Sequence, residues 1–598
     1  LYPLTAPLLL SGLPAYRAAD LFTLFHVLIA GVLAYALVQD VTRRRVAALV
    51  AGTAWMLSAR TVQSAIWPNA VAVAALLPLL VLGLLRIGRG QRRSGIFLAA
   101  AGGGLMLLAA RPHSVVGAAP LLLAISTFAI ASAPRRAVAL RDTALAALLA
   151  AGLGAPSVLP TAILHPEMDR SSGLSAEERN VDALRPGGDL DLVFLPRDGR
   201  DRFPEAACYP GLAAGLLFAA GLLLAARGPS PERPLLLALA AGGALGLAFA
   251  FGDAGPYRLF SWLPVLRDLH VPARYLVSWA FAVSIGAGLA ASALASRGRL
   301  GAVSALAGLV LLAPDLVLHA RRAAPAVDSA HYRAVPPLAS RLLSEPSDGT
   351  GFPRRFWTTG VGLPDRLDAR VTPGWAGSVE PLSGGLGQTW GLEGLEGRGP
   401  SLLRIRRLLD AFASTAPSVA AVSRVISEIP VLPFEAEGAP GPPSWRVPNP
   451  RDRAWLVPAA LVVPEGRSLS VALSPGFDVT SAVVLERAAR GGSADWKGAR
   501  GAVRLVERRG GTLSLELAAP GPGWLVLADA FEEGWSATLD GRAVPVYPAN
   551  GAFRAVPVPG GSHRLDFLYE PRGLREGLLL ATVSLLVLFL LSRRLPGP

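Results

Sequence analysis

Hydrophobic and polar positions follow two regimes along the chain. Between residues 21 and 320, long apolar runs succeed one another across short polar breaks. Between residues 321 and 572, the runs shorten, alternate, and are punctuated by Pro and Gly. One last apolar run, LREGLLLATVSLLVLFLLSRR, follows the alternating part. Runs long enough, or nearly so, to cross a hydrocarbon core of about 30 Å occupy residues 21–39, 46–59, 70–86, 95–110, 114–132, 138–160, 210–226, 234–252, 274–296, 300–320 and 574–592. They predict a polytopic α-helical membrane protein of about eleven spans, with 46–59 the shortest.

Arginines mark the faces. Arg43 to Arg45, then Arg86, Arg89, Arg92 and Arg93, then Arg135, Arg136 and Arg141, then Arg227 and Arg233, Arg297 and Arg299, and finally Arg593 and Arg594 all fall on one side if every run crosses. Short cytoplasmic loops retain positive charge, so that side is read as cytoplasmic. The opposite, extracytoplasmic face then receives residues 1–20, the turns at 60–69 and 111–113, a long outer loop at 161–209, the segment 253–273 and the whole region 321–572. The expected setting is a bacterial cytoplasmic (inner) membrane, crossed many times, with the soluble part outside.

The soluble region divides again. Residues 321–449 mix Pro/Gly loops with a helical patch, SLLRIRRLLDAFAS, in which Leu402, Leu403, Ile405 and Leu409 recur at near-helical spacing. Residues 450–572 carry short alternating runs such as TLSLELAA, GWLVLADA and HRLDFLYE, separated by turn pairs Asp540-Gly541 and Asn550-Gly551. That pattern predicts an antiparallel β-sandwich. The expected organisation is therefore a membrane core at 1–320, a mixed α/β region at 321–449, the sandwich at 450–572, and a final span with its cytoplasmic tail at 573–598.

Composition adds three constraints. The chain is 52% hydrophobic and 17% charged, with a mean hydropathy of +0.44, outside the range of ordinary soluble domains. Its net charge of +14 is carried almost wholly by arginine, Lys497 being the lone lysine; topology and solubility account for it, and no nucleic-acid partner is expected. Cys208 is the single cysteine, so no disulfide forms within the chain, and no CxxC or His/Cys cluster calls for a structural metal. The chain opens LYPLTAPLLL without an initiator Met, and an N-terminal segment is expected to precede it.

Several motifs together resemble one family. Trp524 to Asp529 (WLVLAD), Gly534-Trp535, Asp540-Gly541, Ala549-Asn550, Phe553 to Val556 (FRAV), Val558 to Gly560, His563 and Tyr569 to Pro571 (YEP), with a span directly behind them, are similar to the C-terminal signature of the YfhO-like bacterial membrane proteins. Tyr2-Pro3-Leu4, Leu159-Pro160-Thr161 with Ser171-Ser172-Gly173, Leu263-Pro264 with Val271 to Arg274, and Asn449-Pro450 with Arg453-Ala454-Trp455 resemble further family segments in the same order. The resemblance implies a GT-C type glycosyltransferase, specifically a hexosyltransferase. Its donor would be a polyprenyl-phosphate-linked sugar, and its acceptor an envelope polymer or glycolipid, lipoteichoic acid among them. It also places the catalytic acid in the first outer loop, upstream of Leu1, so this sequence by itself is expected to lack activity.

The residues fit that implication. No P-loop or Rossmann fingerprint appears, and a lipid-phosphate donor needs cationic groups to hold its leaving phosphate. Arg111 and His113, in AARPHSVV, lie at the outer turn between two spans; the alternative is a snorkelling Arg and a turn histidine. Arg274, in HVPARYLV, enters a span from the outer face behind Pro272, as a phosphate contact or as an interface anchor. Arg267 and His270 are nearby. The outer loop offers His165, Glu167, Asp169 and Arg170, as donor-site lining or as solvated loop charge. Asp189 and Asp191 form a D-x-D pair that metals use in other glycosyltransferases, although the donor inferred above has no diphosphate to bridge. Asp20 reads as a helix cap, and Trp55, Trp67, Trp262 and Trp279 read as an interfacial belt. Trp375, Trp390 and Trp535 lie in the soluble region, where sugar stacking competes with core packing. No cofactor is called for, and a divalent metal stays open. Two other classes compete: a transporter of lipid-linked intermediates, and a non-catalytic glycan-binding scaffold.

Overall fold

The structure is a computed structural model that describes residues 2–109, 112–196, 208–323, 334–358, 391–395, 402–411, 420–426, 435–437, 444–447, 450–487 and 493–594. Arg111, Trp375 and Trp390 lie outside them.

All the predicted apolar runs are helical: Ala15–Thr42, Arg45–Leu57, Pro68–Gly88, Arg92–Leu108, Ala119–Ala131, Arg136–Leu164, Leu212–Arg227, Arg233–Phe249, Leu276–Ala295, Arg299–Ala323 and Leu574–Arg594. By length and composition, 6 helical segments among the described residues can cross a membrane, against the eleven runs expected: Arg17–Thr42, Pro68–Gly88, Arg136–Glu167, Pro272–Ala295, Arg299–Arg321 and Leu574–Arg593. Helices 119–131, 212–227 and 233–249 are apolar but shorter. The run 114–132 divides into Pro112–Gly117 and Ala119–Ala131. At the break, Gly117 presses so closely on the next region that a Cβ there would stand 2.7 Å from the Arg274 carbonyl oxygen.

Small residues set the helix packing, because between helices in lipid it is close backbone approach, not exclusion of water, that binds them. A Cβ on Gly83 would meet the Ala99 backbone at 2.3 Å. The final helix seats itself in the same way, with Gly577 against Ala155 and Gly152 against Ser584. At one end of the bundle, Asp40 accepts from Arg86 and Arg89 at 2.7 and 2.6 Å, while Asp142 accepts from Arg92 at 2.5 Å. The arginines predicted to share a face thus meet carboxylates from neighbouring helices.

Two local readings are corrected. Asp20 sits within helix Ala15–Thr42, whose first turn is set by Pro14 at the N-cap. Trp55 is fully buried; its indole donates to the Ala74 carbonyl at 3.2 Å and meets Phe281 edge-on. Position near the end of a run says nothing about which helices cover that end.

Among the described residues between 321 and 572 there are three sheets. The first contains β1 (Arg355–Thr358), β2 (Glu393–Gly394), β3 (Val422–Ile426), β4 (Glu435–Glu437) and β5 (Ser444–Arg446) in the order β2-β1-β3-β5-β4. The second is six-stranded, β6-β11-β15-β14-β8-β7, built from β6 (Ala454–Val457), β7 (Ala459–Val462), β8 (Ala482–Leu485), β11 (Gly523–Leu527), β14 (Tyr547–Ala549) and β15 (Phe553–Val558). The third, β13-β12-β16-β10-β9, comprises β9 (Ala502–Arg509), β10 (Thr512–Ala519), β12 (Trp535–Leu539), β13 (Arg542–Val544) and β16 (Gly561–Tyr569).

The second and third sheets face each other across Leu513, Leu515, Leu517, Leu565 and Phe567 on one side and Leu456, Leu525, Leu527, Val556 and Val558 on the other. Strand β10 alternates because only one of its faces is covered, whereas β11 is buried at every position. The far face of β11 packs Trp524 and Val526 with Val457, Val483 and Ala555. The pairs Asp540-Gly541 and Asn550-Gly551 take positive φ, at 50° and 80° and at 48° and 86°, as tight hairpin turns demand. The sandwich is not wholly antiparallel, since β7 pairs with β8 in parallel. Parallel neighbours need a crossover, and helix Ser468–Ala472 lies in it.

Candidate functional site

The site grows from the end of helix Arg136–Leu164. Pro156 and Pro160 lie in its last turns, and a 3-10 turn, His165–Glu167, redirects the chain. The loop that follows lies along segment 263–274 through a ladder of polar contacts. His165 Nε2 stands 2.9 Å from Asp268 Oδ2. Arg170 Nη1 donates to His270 Nδ1 at 3.0 Å; a guanidinium only donates, so this ring nitrogen accepts. Arg267 donates to the Ser171 carbonyl at 3.1 Å and to Asp268 at 3.4 Å. Arg274 donates to the His270 carbonyl at 3.4 Å. Gly173, at φ +86°, fits beneath Arg267, whose Cγ and Cδ would stand 2.8 Å from any Cβ placed there.

Arg274 is held by an unusual backbone. Val271, buried, adopts φ 61° and ψ 71° directly before Pro272. A β-branched residue in the left-handed region carries about 1–3 kcal/mol of strain, and such strain gathers where a side chain must be aimed. Arg274 itself is only 8% exposed. Nearby, Tyr257 donates to the Leu266 carbonyl at 2.7 Å, and burial pushes its phenol up to about 12.

The sandwich meets the end of helix Arg136–Leu164 and the turn after it. A cavity of about 180 Å³ is lined by Pro160, Thr161, Leu164, Glu167 and Met168 from below and by Glu532, Tyr569 and Arg572 from above. Arg572 stands 3.9 Å from Glu167 and pairs with Glu533. Met168 also bridges to Leu402, and Gly573, at φ +80°, lets the chain enter the last helix close beside Leu159 and Ile163.

Of the residues singled out in the sequence, the structure brings together Arg170 and Arg274, both bonded to His270. Asp169 adjoins Arg170 in the same loop. His113 belongs to helix Pro112–Gly117, which meets the Arg274 turn through Gly117 and through Ser278 Oγ, a donor to the Gly117 carbonyl at 2.9 Å. Within the D-x-D pair, Asp189 closes a local turn, its Oδ2 accepting the Arg185 backbone N–H at 2.7 Å.

Two polar groups escaped the sequence reading. One is the buried turn Arg60, Thr61, Gln63 and Ser64, signalled only by an Arg inside the broken run SARTVQSAIW. The other lies in the sandwich, where three buried arginines converge on Asp529: Arg355 and Arg453 at 2.7 Å and Arg554 at 3.1 Å. Arg453, Asp529, Trp535 and Arg554 all stand inside the motifs RAW, WLVLAD, GW and FRAV. Their signal was present as a signature, but not as a cluster.

Residues 499–581 match the family described as bacterial membrane protein YfhO, in agreement with the resemblance drawn from those motifs. No curated protein matches the chain in sequence. Among solved structures, the arabinofuranosyltransferase AftD from Mycobacteria is similar at 12% identity, covering 94% of this chain and 51% of that one, with a TM-score of 0.43. A mutant of the same enzyme gives 13% identity, coverage of 94% and 54%, and a TM-score of 0.43. The chain thus spans about half the length of the solved structures it matches.

Proposed function

We propose that this bacterial membrane protein, which carries the YfhO segment at residues 499–581, transfers a sugar from a polyprenyl-phosphate donor to an envelope polymer or glycolipid on the extracytoplasmic face. The observation that carries the reading is the joining of Arg170 and Arg274 through His270. In the reaction, an acceptor hydroxyl oxygen attacks the anomeric carbon. The bond from that carbon to the phosphate oxygen breaks, and its electron pair leaves with polyprenyl phosphate. A carboxylate takes the acceptor's proton. Guanidiniums suit the leaving group because they offer forked donors to phosphate oxygens and keep their charge. Arg274, mostly withdrawn from water, acts at low dielectric, where a fixed cation stabilises developing charge most. The last helix, seated on 136–164 at Gly577 and Gly152, holds the sandwich above the site, where it presents the acceptor.

The test supplies radiolabelled polyprenyl-phosphate hexose to membranes containing the protein and envelope polymer. Label moving into polymer as donor is consumed supports the reading; donor changing leaflet with no label in polymer favours a transporter and rejects it.

A further inference from the structure

We propose that the sandwich contains a second binding site, specific for an anionic group carried on a saccharide chain, in the cavity formed by Arg508, Arg509, Thr512, Asp529, Trp535 and Arg554. The cavity measures about 420 Å³, within the roughly 300–1,000 Å³ typical of small-ligand pockets.

Charge imbalance is the first argument. Arg355, Arg453, Arg508 and Arg554 gather around two carboxylates, Asp529 and Glu393. Buried charge is normally matched, yet among the described residues three guanidiniums less than 9% exposed converge on the one carboxylate of Asp529, with Glu393 serving Arg453 and Arg508 and Asp348 accepting from the Arg453 amide. Arg554 is the second argument. It is 2% exposed, it spends one nitrogen on Asp529 at 3.1 Å, and its Nε and Nη1 are buried without any acceptor. Burial also depresses this guanidinium to about 10, with Arg355 and Arg508 adding repulsion against the pull of Asp529. An arriving anion relieves both defects. The guanidinium lies 3.8 Å over the Trp535 ring, a stacked geometry that fixes its orientation.

The third argument is shape. Arg509, on the exposed β9–β10 turn, and Trp535 give the cavity a cationic rim and an aromatic wall, the combination that grips a charged saccharide. Trp535 touches Tyr569 at 5.0 Å, and Tyr569 also lines the cavity above Glu167, so the two spaces share a wall. The anion is a phosphodiester or a carboxylate, and either satisfies the arginines. The assignment does not depend on the transferase reading, because binding is measured without turnover.

The protein in phosphatidylcholine nanodiscs is titrated calorimetrically with inorganic phosphate, a poly(glycerol phosphate) oligomer, an oligogalacturonate and neutral maltohexaose. At least one anionic oligomer binds, more weakly as salt rises, and maltohexaose does not; whichever oligomer binds more tightly identifies the source of the anion. Arg554→Gln lowers its affinity by about tenfold or more. Arg509→Ala, at a side chain 84% exposed and so harmless to folding, lowers it by about threefold. Equal binding of maltohexaose, no binding of either anionic oligomer, or unchanged affinity in Arg509→Ala or in folded Arg554→Gln protein overturns the site.

Discussion

Replacing Asp529 by Asn keeps the shape of the residue and removes one charge from the centre of the sandwich. Arg355 loses a 2.7 Å ion pair but keeps the carbonyls of Ala420 and Ala528 at 3.2 and 2.7 Å. Arg453 loses contacts of 2.7 and 2.8 Å but keeps Glu393. Arg554 loses its charged partner outright. All three are less than 9% exposed, so water does not replace what is lost. Leaving a buried charge without its partner costs about 3–5 kcal/mol, which is a factor of roughly 10² to several times 10³ in the opening equilibrium. Hydrogen exchange at the β11 and β15 amides, measured on the intact protein, reads that equilibrium directly. Exchange there accelerates by about a hundredfold or more in Asp529→Asn. The control, Glu516→Gln, breaks the Arg504 pair at 2.5 Å between side chains 69% and 49% exposed, and exposed pairs contribute about 0–1 kcal/mol. Equal exchange in both variants refutes the reasoning that burial gives the cluster its weight.

Two further outcomes follow from the packing. Burial raises the Glu486 carboxyl, but bonds from Ser468, Arg404 and the Gly466 amide outweigh it and hold it below its ordinary 4.5. A depressed carboxylate stabilises fully above its unfolded value and loses that contribution as pH falls through the folded one. The protection factors of amides in helix Leu403–Ala411, tied by Arg404 to Glu486 at 2.7 Å, therefore stay constant above about pH 5 and fall below about pH 4; unchanged protection factors down to about pH 3 contradict the sign. A Cβ at Gly577 would stand 2.7 Å from the Ala155 carbonyl oxygen, so Gly577→Leu displaces the last helix. Cysteines placed at Glu167 and Arg572, whose native side-chain tips meet at 3.9 Å, in a protein whose single native cysteine is buried, are then bridged poorly by a flexible bis-maleimide reagent, and undiminished bridging contradicts the seating.

Local features were the most legible in the sequence. Alternation in TLSLELAA found a strand with one covered face, and the two Gly-containing turns took the left-handed backbone their sequences announce. Apolar runs found the helices, but run length left open which of them are long enough to cross, because shorter helices are completed by their neighbours. The parallel β7–β8 pair was invisible, since Pro458 and the crossover read as ordinary loop. Arg170 and Arg274 were singled out by their chemistry, each beside the end of an apolar run. Their junction at His270 was not, because 100 residues separate Arg170 from His270. The Asp529 cluster was hidden for the same reason: its arginines lie 174 and 76 residues away in sequence.

The proposed function requires that Arg274, which follows the strained Val271 turn, hold the phosphate of a lipid-linked sugar. It is tested most directly by the rate of sugar transfer from polyprenyl-phosphate hexose in proteoliposomes, comparing the wild-type protein with Arg274→Ala. Loss of a fixed cation at a developing charge removes about 2.7–4 kcal/mol, or roughly 10²- to 10³-fold in kcat/KM. The expected result is measurable transfer by the full-length wild-type protein and a drop of that size in the full-length variant, with the sandwich still folded. Transfer undiminished in Arg274→Ala contradicts it.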